Sequence, residues 1–176
     1  MASEVIAYVA VSLDGYIAAE GGSVDFLTEF GSDEYGYDEF IDSVGAVVMG
    51  STTYEQILAW GWPYGDTPGL VLTTRTLEMP EEAKITFSSK VTGEAIAAYA
   101  NGVTSRLWVV GGGDVISAGL SEGAIDTLEM YVMPVVLGSG VPLFAQPYEG
   151  PLDLVESIAF SNGVVKLLYS TRSRHT

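Results

Sequence analysis

Three consecutive glycines, Gly111, Gly112 and Gly113, follow an apolar run from Leu107 to Val110 and precede a stretch with helical spacing, Val115 to Leu120. Strand, glycine turn, helix is an arrangement that holds phosphate, because successive backbone N–H groups at a helix start attract an anion. Alone, a glycine run also fits a plain tight turn with no ligand. Two companions of similar design favour the anion. The apolar run Ala46–Met49 opens into Gly50, Ser51, Thr52 and Thr53, and the run from Leu70 ends in Thr73, Thr74 and Arg75. In an open α/β sheet ligands gather at the C-terminal ends of parallel strands. Three such ends side by side would span a dinucleotide. The glycine run is not G-x-G-x-x-G, since Ile116 stands at the third glycine position, and it is not a P-loop, since no Gly-Lys pair occurs in the chain.

Other chemistries find less support. Gly119-Leu120-Ser121-Glu122-Gly123 matches the G-x-S-x-G nucleophile elbow of a serine hydrolase, but an elbow opens a helix and this one closes it. His175 is the single histidine, next to the C-terminal residue, and there is no cysteine, so no zinc ligand set and no disulfide is available. The formal net charge of −16 argues against nucleic acid and anionic membranes, which need basic patches. No Lys or Arg precedes Arg75, so an anion held by the first half depends on backbone N–H groups, hydroxyls or Arg75 itself. The acids of Gly31–Asp42 read as a solvated helix face, and Trp60, Trp62 and Tyr64 as packing residues.

The elements that must position these residues follow from periodicity. Val5–Val11 reads as a buried strand and "DGYIAAEGGS" as a long loop. Asp33–Val44 has helical spacing. After the strand Ala46–Met49, Ser51 is a plausible N-cap for a helix carrying Thr53, Tyr54, Ile57, Leu58 and Trp60. Leu70–Thr73 and Ile85–Phe87 read as strands, Gly93–Ala100 as a helix, Leu107–Val110 as a strand, Val115–Leu120 as a helix and Leu128–Val136 as a strand. Ser161-Asn162-Gly163 joins "LVESIAF" to "VVKLLYST" as a hairpin turn. Hydrophobic residues make up 48% and charged residues 17%, a composition for one folded domain over residues 1–176. The nearest approach to a membrane span, Ile125–Phe144, is broken by Asp126, Glu129, Pro134, Gly138, Gly140 and Pro142. The N-terminus lacks the basic start of a signal peptide, so the expected location is cytoplasmic. The fold expected is a mostly parallel α/β sheet with an antiparallel C-terminal hairpin.

Taken in order, "VAVSLDGYIA", "VVMGSTTYEQIL", "GWPYG", "LVLTTRT", "LWVVGGGDVI" and "IDTLEMYVMPVVLGSGVPLF" resemble the reductase domain of the bifunctional riboflavin-biosynthesis deaminase-reductase and its stand-alone relatives. The resemblance covers nearly the whole chain. It implies the three-layer dihydrofolate-reductase-like fold, NADPH extended across the strand ends, a small-molecule substrate, a homodimer and a cis Gly111–Gly112 peptide bond. It implies that Ala10, Ile17 and Ala18 surround the nicotinamide. It sets Gly50, Ser51, Thr52 and Thr53 at a helix start that holds a cofactor phosphate. Thr73, Thr74 and Arg75 would grip the adenosine side with its 2′-phosphate, and Gly111, Gly112, Gly113, Asp114 and Val115 the pyrophosphate. Two departures stand out. Ser51 occupies a position where the family commonly has Arg, and Val110 one where riboflavin-pathway reductases often have Glu. The helix acid of dihydrofolate reductases has no counterpart near Gly36 or Tyr37. The expected activity is NADPH-dependent reduction of a heterocyclic or ribosylamino substrate, like that of 5-amino-6-(5-phosphoribosylamino)uracil reductase. Asp14 is the expected proton donor and Asp25 the second choice. The alternatives are a relative that binds NADP with a different or no efficient reductase activity, favoured by the missing Glu and Arg, and a serine hydrolase.

Overall fold

The computed structural model describes residues 3–31, 35–81 and 83–171. Eight strands form one sheet in the order β5-β4-β3-β6-β1-β7-β10-β9: β1 is Val5–Ser12, β3 Val44–Gly50, β4 Gly69–Leu72, β5 Ile85–Ser88, β6 Arg106–Gly111, β7 Thr127–Met133, β9 Asp153–Ala159 and β10 Val165–Ser170. Every pairing among β5, β4, β3, β6, β1 and β7 is parallel, and β10 runs antiparallel to both its neighbours. The expected mixed sheet with a C-terminal hairpin is the one observed. β2 (Tyr16–Ala18) and β8 (Val141–Pro142) form a small separate antiparallel ribbon.

Helices cover both faces because the strands are apolar on both. In β1 the odd residues Val5, Ala7, Val9 and Val11 turn to one side. They pack with Val48, Leu70 and Val109 against Ile96 of α3 (Gly93–Ala100) and Ile116 and Leu120 of α4 (Gly113–Ser121). Ile6, Val47, Met49, Val71 and Trp108 turn to the other. There they meet Phe40 of α1 (Tyr37–Asp42) and Tyr54 and Ile57 of α2 (Ser51–Trp60). Ile116 is fully buried, so truncation to Ala would cost about 2–5 kcal/mol.

The structure departs from the sequence-based expectations at several element boundaries, and the strand expected over Leu128–Val136 ends at Met133. "DGYIAAEGGS" is not all loop: it contains β2 and a short 3-10 turn, Glu20–Gly22. The helix expected from Asp33 is described from Tyr37, and Asp33 and Glu34 lie outside the described residues. Val44, expected in that helix, opens β3 instead, because its backbone pairs in register with Arg106 of β6.

Candidate functional site

A cleft of about 800 Å³ lies over the C-terminal ends of β1, β3, β4 and β6. The last three are neighbours in the sheet, which brings their hydroxyl- and glycine-bearing ends side by side. Two helices start at its wall. The N-cap of α2 is Gly50 and that of α4 is Gly112, and neither has a side-chain cap hydrogen bond. Ser51, expected as the cap, is the first helical residue instead. By contrast α3, whose first residues do not line the cleft, is capped by Thr92, which accepts from the Ala95 N–H at 3.2 Å. Uncapped helix starts leave N–H donors without an intrahelical acceptor and carry partial positive charge.

The two starts adjoin because glycine permits it. A Cβ on Gly50 would lie 3.3 Å from Val115 Cγ2 and 3.9 Å from the Gly112 nitrogen. A Cβ on Gly112 would point toward Thr53, 3.6 Å from its Oγ1. The Gly111–Gly112 bond is cis, and Gly111 has φ +143°, a conformation that favours glycine. Gly113 packs the other way: a Cβ there would meet the Pro142 carbonyl oxygen inside van der Waals contact and Ala145 Cβ at 3.0 Å. This donor set, with backbone N–H groups, glycines and the Thr53 hydroxyl converging on one space, fits the pyrophosphate of a dinucleotide.

At one end of the cleft are Thr73, Thr74 and Arg75. Thr73 is buried and its Oγ1 accepts from the Arg75 N–H at 3.0 Å, fixing the turn. The Arg75 guanidinium donates to both carboxylate oxygens of Glu55 on α2, at 2.7 Å each. Those hydrogen bonds, then the carboxylate charge, hold its pKa above the ordinary arginine value. Sequence reasoning missed this partner: Glu55 is twenty residues away in the chain, and only the adjacency of β3 and β4 aligns the two.

The other end is aromatic. Ala10, Ile17 and Ala18 line the cleft together with Tyr8, Tyr37, Tyr64 and Trp108. Tyr8 stacks on Phe40 with ring centroids 4.0 Å apart, while Trp108 presents an edge arrangement to Tyr8 at 6.1 Å and to Tyr64 at 5.7 Å. Burial pushes the Tyr8 hydroxyl up to about 12, and burial likewise raises Tyr37 and Tyr64. The Tyr8 ring lies against that of Tyr131, with ring centroids 5.1 Å apart. The Tyr131 hydroxyl lies 2.8 Å from Glu129 Oε1 and 2.9 Å from the Tyr35 carbonyl. Glu129 is paired with Lys166 at 3.3 Å, and Lys166 with Glu156 at 3.0 Å. This chain was not legible beforehand. It depends on the β1–β7 register, Tyr8↔Glu129 and Ala10↔Tyr131.

All fifteen expected cofactor residues therefore line one cleft, and Val110 lines it too. Asp14 and Asp25 do not, and both are exposed. Asp14 Oδ1 accepts from Ser12 Oγ at 2.7 Å and from the Leu137 N–H at 3.1 Å, and Oδ2 accepts from the Gly138 N–H at 2.7 Å. The Ser12 hydrogen bond, helped by those backbone donors, lowers its pKa. Asp14 thus ties the end of β1 to the loop after β7. The Gly119–Gly123 pattern lies at the C-terminal end of α4 with no strand-to-helix elbow, and His175 is outside the described residues. Among the described residues, no helix is long and apolar enough to cross a membrane.

A parallel sheet with one reversed strand, helices on both faces and two glycine-joined helix starts over the strand ends define a dihydrofolate-reductase-like domain. The chain belongs to the RibD C-terminal domain family, whose model matches residues 3–166. It is 38% identical over 147 residues to uncharacterized protein YwjB of Bacillus subtilis, covering 82% of this chain and 84% of that one. The crystal structure of a putative riboflavin biosynthesis protein from Shewanella sp. PV-4 matches with a TM-score of 0.79 and 29% identity, over 97% of this chain and 98% of that one. The Thermotoga maritima diaminohydroxyphosphoribosylaminopyrimidine deaminase/5-amino-6-(5-phosphoribosylamino)uracil reductase matches with a TM-score of 0.68 and 18% identity, over 96% of this chain and 56% of that one. Dihydrofolate reductase from Enterococcus faecalis, complexed with NADP(H), matches at 0.69 and 18% over 95% of both chains. The last two show likeness of fold alone.

Proposed function

We propose that the protein is an NADPH-dependent reductase that transfers a hydride to an electrophilic carbon of a heterocyclic small molecule. The observation that carries this reading is the meeting of two uncapped helix starts at Gly50 and Gly112 over one cleft. In it, the N–H groups of those starts and Thr53 bind the pyrophosphate. Thr73, Thr74 and Arg75 bind the adenosine end. Ala10, Ile17 and Ala18 form the wall of small and aliphatic residues against which a flat ring lies. A bound reduced nicotinamide supplies the hydride. The aromatic end excludes water and orients the carbon to be reduced, so positioning supplies much of the rate.

A proton must reach the reduced product. Asp14, engaged by three donors outside the cleft lining, has the placement of a loop tie rather than of an acid. Tyr8 has the better placement: it lines the cleft, its raised pKa keeps it protonated, and Tyr131 and Glu129 stand behind it. We therefore assign the proton-holding role to Tyr8. Binding without efficient turnover is the second reading, favoured by Val110 and Ser51 in the lining. Calorimetric titration with NADPH tests the cofactor assignment, with saturable binding at one site per chain expected. Consumption of NADPH in the presence of a ribosylaminopyrimidine then separates the two readings.

A further inference from the structure

The aromatic end of the cleft differs from the cofactor end in its charge. Among the described residues lining the cleft, Arg75 is the only Lys or Arg, and it sits at the opposite end with both guanidinium arms on Glu55. The other described cations with ion pairs are committed outside the cleft lining: Lys84 to Asp66, Arg106 to Glu4, and Lys166 to Glu129 and Glu156. The polar atoms of the aromatic end are the hydroxyls of Tyr8, Tyr37 and Tyr64, and the indole N–H of Trp108 already donates to the Tyr8 carbonyl at 3.1 Å. Of the acids behind the rings, Glu129, itself paired with Lys166 at 3.3 Å, acts on Tyr8, and Asp38 acts on Tyr37, in each case raising the hydroxyl pKa further. The short helix α1, whose Tyr37 lines this end, carries Asp38 and Glu39 in its first turn. The whole chain adds a field of formal charge −16.

A ribosyl phosphate, the group in the printed name of the Thermotoga enzyme, carries up to two negative charges. A site for it needs cationic or N–H donors, and among the described residues this end is lined by aromatic rings and their hydroxyls with no Lys or Arg. Stacked and edge-on rings around an open slot suit a flat conjugated ring, whose own edge and face complement them. Granting the reductase reading above, we propose that the compound reduced in this cleft carries a planar heterocycle and no phosphate or other anionic group.

The test is titration of the protein, saturated with oxidised NADP, with 5-amino-6-ribosylaminouracil and separately with its 5′-phosphate, following tryptophan emission. The unphosphorylated compound is expected to bind more tightly by about tenfold or more, with the gap narrowing as salt screens the repulsion. Pro63→Lys, at the exposed rim of the aromatic end, is expected to improve binding of the phosphate alone. Equal or tighter binding of the phosphate by the wild type overturns the proposal, and so does failure of both compounds to bind while NADP does. Failure of NADP itself to bind is a different outcome, which sinks the cofactor reading first.

Discussion

Gly112→Ala and Gly113→Ala, adjacent and chemically identical changes, should fail in opposite ways. At Gly112 the backbone has φ −82° and ψ −162°, which alanine adopts freely, and the nearest heavy atom to the new methyl is Thr53 Oγ1 at 3.6 Å, an ordinary contact. A Gly→Ala change at a compatible site shifts stability by under about 1 kcal/mol, and at this size that moves Tm by no more than about 2–4 °C. The same methyl enters the space between Thr53 and the two helix starts. Each charge-assisted hydrogen bond to phosphate that it displaces is worth about 1.5–3 kcal/mol, so NADPH affinity should fall by about ten- to a hundredfold per bond lost. At Gly113 the methyl runs instead into the Pro142 carbonyl and Ala145. Backbone cannot step aside as a side-chain tip does, and overpacking of this kind costs about 1–3 kcal/mol. Gly113→Ala should therefore melt lower by roughly 2–12 °C. Circular-dichroism melts and calorimetric NADPH titrations of the two variants decide the matter. Unchanged NADPH affinity in Gly112→Ala would refute the anion cradle, and equal destabilisation of both variants would refute the assignment of the two glycines to different neighbours.

The remaining expectations concern single side chains. Arg75→Ala should weaken NADPH by about tenfold and leave NADH nearly unaffected, whereas Glu55→Gln, which frees the guanidinium, should raise the NADPH-to-NADH affinity ratio by no more than about fivefold, because exposed pairs couple weakly; parallel titrations with both cofactors read this. Tyr8→Phe should lower turnover while leaving NADPH binding intact, and an unchanged turnover number would return the proton donor to the open. Asp14→Asn should lower Tm by a few degrees at most at neutral pH. The folded pKa of Asp14 is depressed, so its contribution is fully present above the unfolded value near 3.9 and is lost as pH falls through the folded value; the wild-type and Asn melting curves should converge only once the pH lies below that folded value. A homodimer is expected, with the edge strand β9, where Leu154, Val155 and Ile158 are exposed, as its candidate face; sedimentation equilibrium measures the assembly directly.

What could be read in advance was whatever local chemistry dictates. The runs Ala46–Met49 and Leu107–Val110 are apolar and β-branched, and each meets glycine before a helical period, so the two strand-turn-helix units were visible. The expectation that Ser51 caps α2 failed for a reason that bears on function. A capping hydroxyl would take one of the N–H groups that the cleft leaves available, and Gly50 caps without a side chain. β8 has two residues and β2 three, too few to show a period of two. Arg75 was visible as a lone cation, but Glu55 could not be matched to it until β3 and β4 were known to be neighbours. The Tyr8–Tyr131–Glu129 chain needs even more, since a shift of one residue in the β1–β7 register would send Tyr131 to the opposite face.

That alternation also explains how one strand serves two halves of the cleft. The odd residues of β1 belong to the core beneath α3 and α4, with Val9 also reaching the cleft, and the even residues Tyr8 and Ala10 line the cleft beside it. At Ala10, next to Ile17 and Ala18, a small side chain leaves depth for a ring to lie against the strand. At Tyr8, two residues earlier, a large side chain stacks on Phe40 and meets Trp108 edge-on, narrowing the slot. Exchanging their sizes would fill the ring's place and empty the slot beside it without altering the hydrophobic pattern of the strand. Depth and closure along the cleft are thus set by the volumes of two residues on one face of β1, a property of spacing that composition and periodicity leave free.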